Sequence, residues 1–106
     1  MKENTRIVFF GTPEFSVEAL KHLLAAHFPV VAAVTQPDRP AGRRKRLLTP
    51  AVKLFAARHS IKVYQPDNVS DPDFLRQLES FGSEFLVVVS YGQILPQRIL
   101  DILVSL

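Results

Sequence analysis

Short runs of apolar residues alternate along the chain with stretches in which apolar residues recur every three or four positions. The short runs are rich in β-branched and aromatic residues, which is typical of buried strands. The wider spacing is typical of amphipathic helices. We therefore predict strands at 6–10, 29–35, 62–65 and 85–89, and helices over 12–27, 49–59, from 71 onward and over 96–101.

The predicted helices begin at residues that favour helix starts. Thr12 and Thr49 each precede a proline, and Asp71 precedes Pro72. Threonine and aspartate are good N-caps, and proline is favoured in the first turn. We therefore expect the side chains of Thr12, Thr49 and Asp71 to cap their helices, and the first helix to end near His27.

This order of elements predicts the fold class. Strands that alternate with helices form right-handed crossovers and a parallel sheet covered on both faces, so we predict one Rossmann-like, doubly wound α/β domain over 1–106. Ligands bind such sheets at the carboxyl ends of the strands. Here those ends are 11–12, Gln36, 65–66 and 90–92. The segment 36–48 has two prolines and no periodicity, which predicts a long exposed loop.

Positive charge is concentrated in that segment. The net charge of +3 includes five cations between Arg39 and Arg46, so the rest of the chain carries −2. Arginine forks suit phosphate oxygens, and a basic segment can follow a nucleic-acid backbone. A solvated loop extended by self-repulsion is the alternative interpretation.

Composition excludes several classes of protein. The chain has no cysteine, which rules out disulfides and thiolate metal sites. Apolar residues make up 47% and charged residues 22%, an ordinary globular balance. The apolar run near the N-terminus is too short for a signal peptide, and no run is long enough to span a bilayer, so we expect a cytoplasmic protein without membrane contact.

The turns after the first and last strands differ in what they can bind. Pro13 stands where a dinucleotide-binding motif needs its second glycine, and no phosphate-binding loop is present, so nicotinamide and nucleotide hydrolysis chemistry are not indicated. The alternative interpretation of Gly11 is that it merely permits a tight turn. The backbone of 91–96 could hold a flat heterocycle between the apolar side chains of Tyr91, Ile94 and Leu95, or could be an ordinary connection. No residues are spaced as a catalytic pair or a metal site.

Three segments resemble the methionyl-tRNA formyltransferase family: residues 7–15, 35–43 and 87–96. Shorter matches lie at 49–53 and 63–66, so the resemblance covers nearly the whole chain. That family transfers a formyl group from 10-formyltetrahydrofolate to the amino group of methionine on initiator tRNA.

The resemblance implies roles for three groups of residues. The basic segment would contact the tRNA, with Arg43 foremost, through Arg39, Gly42, Arg43, Arg44, Lys45 and Arg46. The turn after the last strand would line the folate pocket through Tyr91, Gly92, Gln93, Ile94 and Leu95. The cleft for the aminoacyl end of the tRNA would be bordered by Gly11, Thr12 and Phe15.

The resemblance also implies that the catalytic groups are missing. The family continues into a strand with an Asn-x-His pair, a later Asp and a C-terminal tRNA-binding domain, whereas this chain closes at Leu106. We therefore expect an incomplete formyltransferase domain that is inactive alone and prone to self-association at its uncovered sheet edge. The alternative function is a small stand-alone RNA-binding α/β module that uses the basic segment 39–46.

Overall fold

The computed structural model describes residues 5–41 and 46–104 of the chain. In chain order the elements are β1 (Ile7–Gly11), α1 (Glu14–Ala25), β2 (Val30–Val34), β3 (Arg39–Ala41), β4 (Arg46–Leu48), α2 (Ala51–Arg58), β5 (Val63–Tyr64), α3 (Pro72–Ser80), β6 (Phe85–Val89) and α4 (Gln97–Val104). The main strands and helices therefore lie within a few residues of the positions that the hydrophobic pattern predicts.

The main sheet has the strand order β5-β2-β1-β6, and every neighbouring pair is parallel. The chain runs outward from β1 through β2 to β5 and then crosses back to place β6 on the other side of β1. This reversal is a topological switch point beside the carboxyl ends of β1 and β6, where such folds bind ligands. The predicted α/β fold with a parallel sheet is confirmed.

Helices cover both faces of this sheet. Neighbouring residues of β1 point to opposite faces and pack in different core clusters. Phe9 packs in one cluster with Leu20 of α1 and Val52 of α2. Phe10 packs in the other with Leu78 of α3. All five residues of β1 are buried. Burying a large apolar side chain contributes roughly 1.5–3 kcal/mol, so this strand anchors the domain.

Two predicted helix caps are wrong. The N-cap positions of α1 and α2 are Pro13 and Pro50, and neither helix has a side-chain cap hydrogen bond. The hydroxyl of Thr12 instead donates to a carbonyl beyond β6, and that of Thr49 donates to an aspartate before β3. Both threonines therefore connect separate parts of the fold.

The other predicted helix ends agree with the structure more closely. The carboxylate of Asp71 accepts a hydrogen bond from the backbone N–H of Asp73, which confirms it as the cap of α3. Helix α1 ends at Ala25, two residues before His27. His27 has a φ of 64°, a left-handed conformation that stops the helix.

The predicted long loop over 36–48 is wrong for the residues that the structure describes. Strands β3 and β4 form a separate antiparallel pair in which Arg39 lies opposite Leu48 and Ala41 opposite Arg46. The strands are only three residues long and one contains Pro40, so no alternating pattern indicates them. We call β3 and β4 the basic hairpin. Residues 42–45, which include Gly42, Arg43, Arg44 and Lys45, lie outside the described residues.

Candidate functional site

Thr12 connects the strand ends at the switch point. Its hydroxyl donates to the carbonyl of Tyr91 at 2.6 Å and accepts from the backbone N–H of Gln36 at 3.2 Å. The hydroxyl of Thr35 lies 3.4 Å away. Thr12 is half-buried, and it therefore holds the turn after β6 against the ends of β1 and β2.

The ring of Tyr91 lies in the core instead of forming an open wall. It is 2% exposed and packs edge-on against Phe10, with 5.2 Å between ring centroids. Its hydroxyl is buried without a hydrogen-bond partner among the described residues. Burial raises the pKa of Tyr91 to about 12. Tyr91 therefore contributes its backbone to the site and its ring to the core.

Gly92 and Gln93 fix the shape of the same turn. Gly92 has a φ of 105°, and a Cβ atom placed there would lie 2.6 Å from Nε2 of Gln36. The amide of Gln93 donates to Oε1 of Gln36 at 2.8 Å, and its oxygen accepts from the N–H of Val69 at 2.9 Å. These contacts require glycine at position 92 and tie the turn to the segment after β5.

Ile94 and Leu95 end the turn in opposite environments. The side chain of Ile94 is 94% exposed, whereas Leu95 packs against the core cluster on the α3 face. A large apolar side chain that is almost fully exposed beside a switch point is available to a ligand. Ile94 is thus the apolar side chain of the turn that a bound molecule can reach.

A cleft of about 180 Å³ lies between the switch point and the basic hairpin. It brings together Thr12 and Arg39, which the sequence assigned to different roles, and its remaining walls are Gln36, Pro37, Leu48 and Pro50. The sequence pattern indicated Gln36 only as the end of a strand, and it did not predict the other three as site residues. The available signal was the position of 36–37 directly after a buried strand.

Two other residues, Gly11 and Phe15, were predicted to border a substrate cleft. Gly11 is buried at the end of β1, where an added Cβ atom would lie 2.7 Å from the ring of Phe9 and 2.8 Å from Cβ of Ser16. Gly11 therefore permits close packing. Phe15 is 74% exposed near the start of α1. Neither residue lines the cleft.

The carboxylate of Asp38 lies at the base of the basic hairpin. It accepts hydrogen bonds from Gln65 at 2.6 Å, Thr49 at 3.0 Å and Lys53 at 3.1 Å. The bonds from Gln65 and Lys53 hold the pKa of Asp38 below its usual value of 3.8. At neutral pH this side chain is therefore an ionised acceptor.

The polar groups that line the cleft belong to Thr12, Gln36 and Arg39. Within 5–41 and 46–104 there is no cluster of His, Cys, Asp and Glu that could hold a metal ion. In the same ranges no helix combines the length and apolarity needed to cross a membrane. The site offers hydroxyl, amide and guanidinium groups around a small cleft, which can orient polar and anionic ligands.

The chain as a whole is similar to the proteins of one family. A sequence model described as formyl transferase matches residues 5–105. A methionyl-tRNA formyltransferase of Pseudomonas entomophila (strain L48) is 52% identical over 97 residues, which cover 92% of this chain and 31% of that protein. The corresponding protein of Ruminiclostridium cellulolyticum is 44% identical over the same share of each chain. This chain thus spans about 31% of the length of these relatives.

Proposed function

The chain belongs to the formyl transferase family, and on that basis we propose that it supplies the substrate-recognition part of a methionyl-tRNA formyltransferase. That reaction moves the formyl group of 10-formyltetrahydrofolate to the amino group of methionine on initiator tRNA. The observation that supports this proposal most strongly is the cleft between Thr12 and Arg39. It lies between the switch point and a hairpin that carries positive charge.

The turn at 91–95 is proposed to contact the folate. Gly92 keeps the backbone bare, and Ile94 offers an exposed apolar surface to a flat heterocycle. The bond from Thr12 to the carbonyl of Tyr91 would hold this surface at the mouth of the cleft. The role of these residues is to bind and orient the formyl donor.

Replacing Ile94 tests this contact. Ile94→Ser should weaken the binding of 10-formyltetrahydrofolate to the chain by roughly threefold to tenfold, because an apolar contact of about one to two methylene groups is lost. Leu100→Ser is the matched control, since Leu100 is 44% exposed on α4. Calorimetric titration measures both. Equal effects of the two substitutions would count against a folate contact at the turn.

The basic hairpin is proposed to contact the tRNA backbone. Arg39 is exposed on β3 and lines the cleft. Arg39→Gln should weaken binding of initiator tRNA and lower the slope of log affinity against log salt concentration by about one. Arg98→Gln on α4 removes the same charge elsewhere and should change binding less. RNA binding that depends on Arg39 but persists without any folate binding would favour the stand-alone RNA-binding module.

The chemical step is proposed to need residues beyond these. The sequence contains no Asn-x-His pair, the group that the resemblance assigns to stabilising the oxyanion as the amine attacks the formyl carbon. We expect no measurable formyl transfer by the 106-residue chain. Turnover with 10-formyltetrahydrofolate and methionyl initiator tRNA, followed as formyl-methionine release after deacylation, would contradict this.

A further inference from the structure

The two ends of the basic hairpin are joined through one carboxylate. Asp38 immediately precedes β3, and Thr49 immediately follows β4. The hydroxyl of Thr49 donates to Oδ2 of Asp38 at 3.0 Å. Because the bond closes the base of the hairpin, it restricts how the two strands can splay or swing.

The same carboxylate attaches the hairpin to the main domain. Lys53 of α2 donates to Oδ1 and Oδ2 of Asp38 at 3.1 and 3.3 Å. The amide of Gln65, just beyond β5, donates to Oδ1 of Asp38 at 2.6 Å and to the carbonyl of Gln36 at 3.1 Å. The side chain of Asp38 is 24% exposed. This partly buried side chain thus connects three separate parts of the chain to the hairpin base.

The charge of Asp38 is unfavourable for the ligand that the hairpin is proposed to bind. A carboxylate next to Arg39 lowers the local positive potential and therefore weakens the attraction of phosphate groups. An effect of Asp38 in favour of RNA binding must then come from geometry. Charge and geometry predict opposite signs for its removal.

We propose that Asp38 is a positioning residue that fixes the basic hairpin over the cleft, so that Arg39 meets the RNA backbone in one orientation. The inference rests on the proposed RNA contact of the hairpin. The hydrogen bonds from Thr49, Lys53 and Gln65 to Asp38 set this orientation. Holding Arg39 in place lowers the entropy that RNA binding must otherwise remove.

Asp38→Asn distinguishes the effect of charge on RNA affinity from the effect of geometry. The substitution removes one negative charge beside a basic segment and disrupts the hydrogen bonds to the carboxylate, because the new amide cannot accept at both positions. Positioning predicts RNA affinity weakened by roughly threefold to tenfold, whereas charge alone predicts tighter binding. Fluorescence anisotropy with a short RNA hairpin that has a single-stranded 3′ end measures it on the 106-residue chain. Asp73→Asn, which removes an exposed carboxylate on α3, is the matched control and should leave binding equal or tighter.

A milder pair of variants tests the same proposal if Asp38→Asn fails to fold. Thr49→Val removes a single hydrogen bond and should weaken RNA binding in the same direction, and Thr49→Ser should restore it. Amide hydrogen exchange in β3 and β4 should be faster in Asp38→Asn and Thr49→Val, with β1 unchanged. Unchanged exchange in the hairpin overturns the proposal.

The outcomes separate the positioning role from the proposed function. Equal or tighter RNA binding by Asp38→Asn, while Arg39→Gln still weakens binding, overturns the positioning role alone. No RNA binding by the wild-type chain, or no loss with Arg39→Gln, overturns the RNA contact and the positioning role together. Weaker binding by both Asp38→Asn and Thr49→Val, with Asp73→Asn unaffected, supports the proposal.

Discussion

Tyr91 combines a well-packed ring with a hydroxyl group that has no partner among the described residues. Burying an unpaired hydroxyl costs about 1–3 kcal/mol. Tyr91→Phe should therefore leave stability at pH 7 unchanged or raise it by about 1 kcal/mol. Tyr91→Leu also removes the ring contact with Phe10 and should lower stability. Urea unfolding measures both, and a large loss in Tyr91→Phe would mean that the hydroxyl is bonded.

The same residue predicts a pH dependence. Burial raises the pKa of Tyr91 from 10.0 to about 12, so the fold favours the protonated phenol. The unfolded chain ionises first as the pH rises, and stability should fall between pH 10 and about 12. Tyr91→Phe should show a shallower fall across this window. Parallel stability curves for the two proteins would contradict the buried phenol.

Gly92 is constrained by conformation and by space. Its φ of 105° is unfavourable for other residues, and a Cβ atom would lie 2.6 Å from the side chain of Gln36. Gly92→Ala should cost about 1–3 kcal/mol of stability. Gly82→Ala is the matched control, because Gly82 has a φ of 59° and its Cβ would meet only Arg6, at 3.4 Å. If the two variants lost equal stability in chemical unfolding, the contact with Gln36 would not contribute to the cost at position 92.

At the scale of elements, helix α1 ends in a left-handed residue that is not glycine. The N–H of His27 donates to the carbonyl of Leu24, and the N–H of Phe28 donates to that of Leu23, the pattern of a Schellman motif. His27→Gly should stabilise the chain by about 0.5–1 kcal/mol, because glycine adopts this conformation without strain. Ala25→Gly, at the last position of the helix, should instead destabilise the chain, by up to about 1 kcal/mol. Thermal unfolding shows the two shifts, and shifts of the same sign would contradict this assignment.

Local sequence patterns predict elements better than they predict the contacts between elements. Hydrophobic period located β1, β6 and the helices because burial of one face is a local pattern repeated along the chain. The partners of Thr12 and Thr49 could not be predicted in this way, since the oxygen atoms they bond belong to Tyr91 and Asp38, which reach them only through the fold. A local rule assigned both hydroxyls to helix caps, and tertiary contacts decided otherwise.

The sequence predicted part of the candidate site. The carboxyl ends of the strands located it, because the rule for parallel sheets needs only the order of elements. The hairpin was missed, since its short strands are held by Asp38 and Thr49 instead of by a hydrophobic pattern. The cleft wall at Leu48 was missed with it.

At the scale of the whole molecule, β6 is an edge strand of the described sheet with exposed apolar side chains. Among the described residues it pairs only with β1, and Phe85 and Val88 are 55% and 46% exposed. An apolar edge strand favours association with another chain. We expect self-association that increases with concentration and is reduced by Val88→Lys but not by Leu54→Lys on α2. Sedimentation velocity tests this, and a monomer at every concentration would contradict it.

We propose that folate and RNA contacts meet at one cleft in this chain. Amide chemical shifts of the 106-residue chain, titrated separately with 10-formyltetrahydrofolate and with initiator tRNA, report both contacts residue by residue. We predict that the folate shifts 91–95, that the tRNA shifts the basic hairpin, and that both shift Thr12 and Gln36. Shifts confined to α3, or two sets that share no residue of the cleft, would contradict a shared cleft.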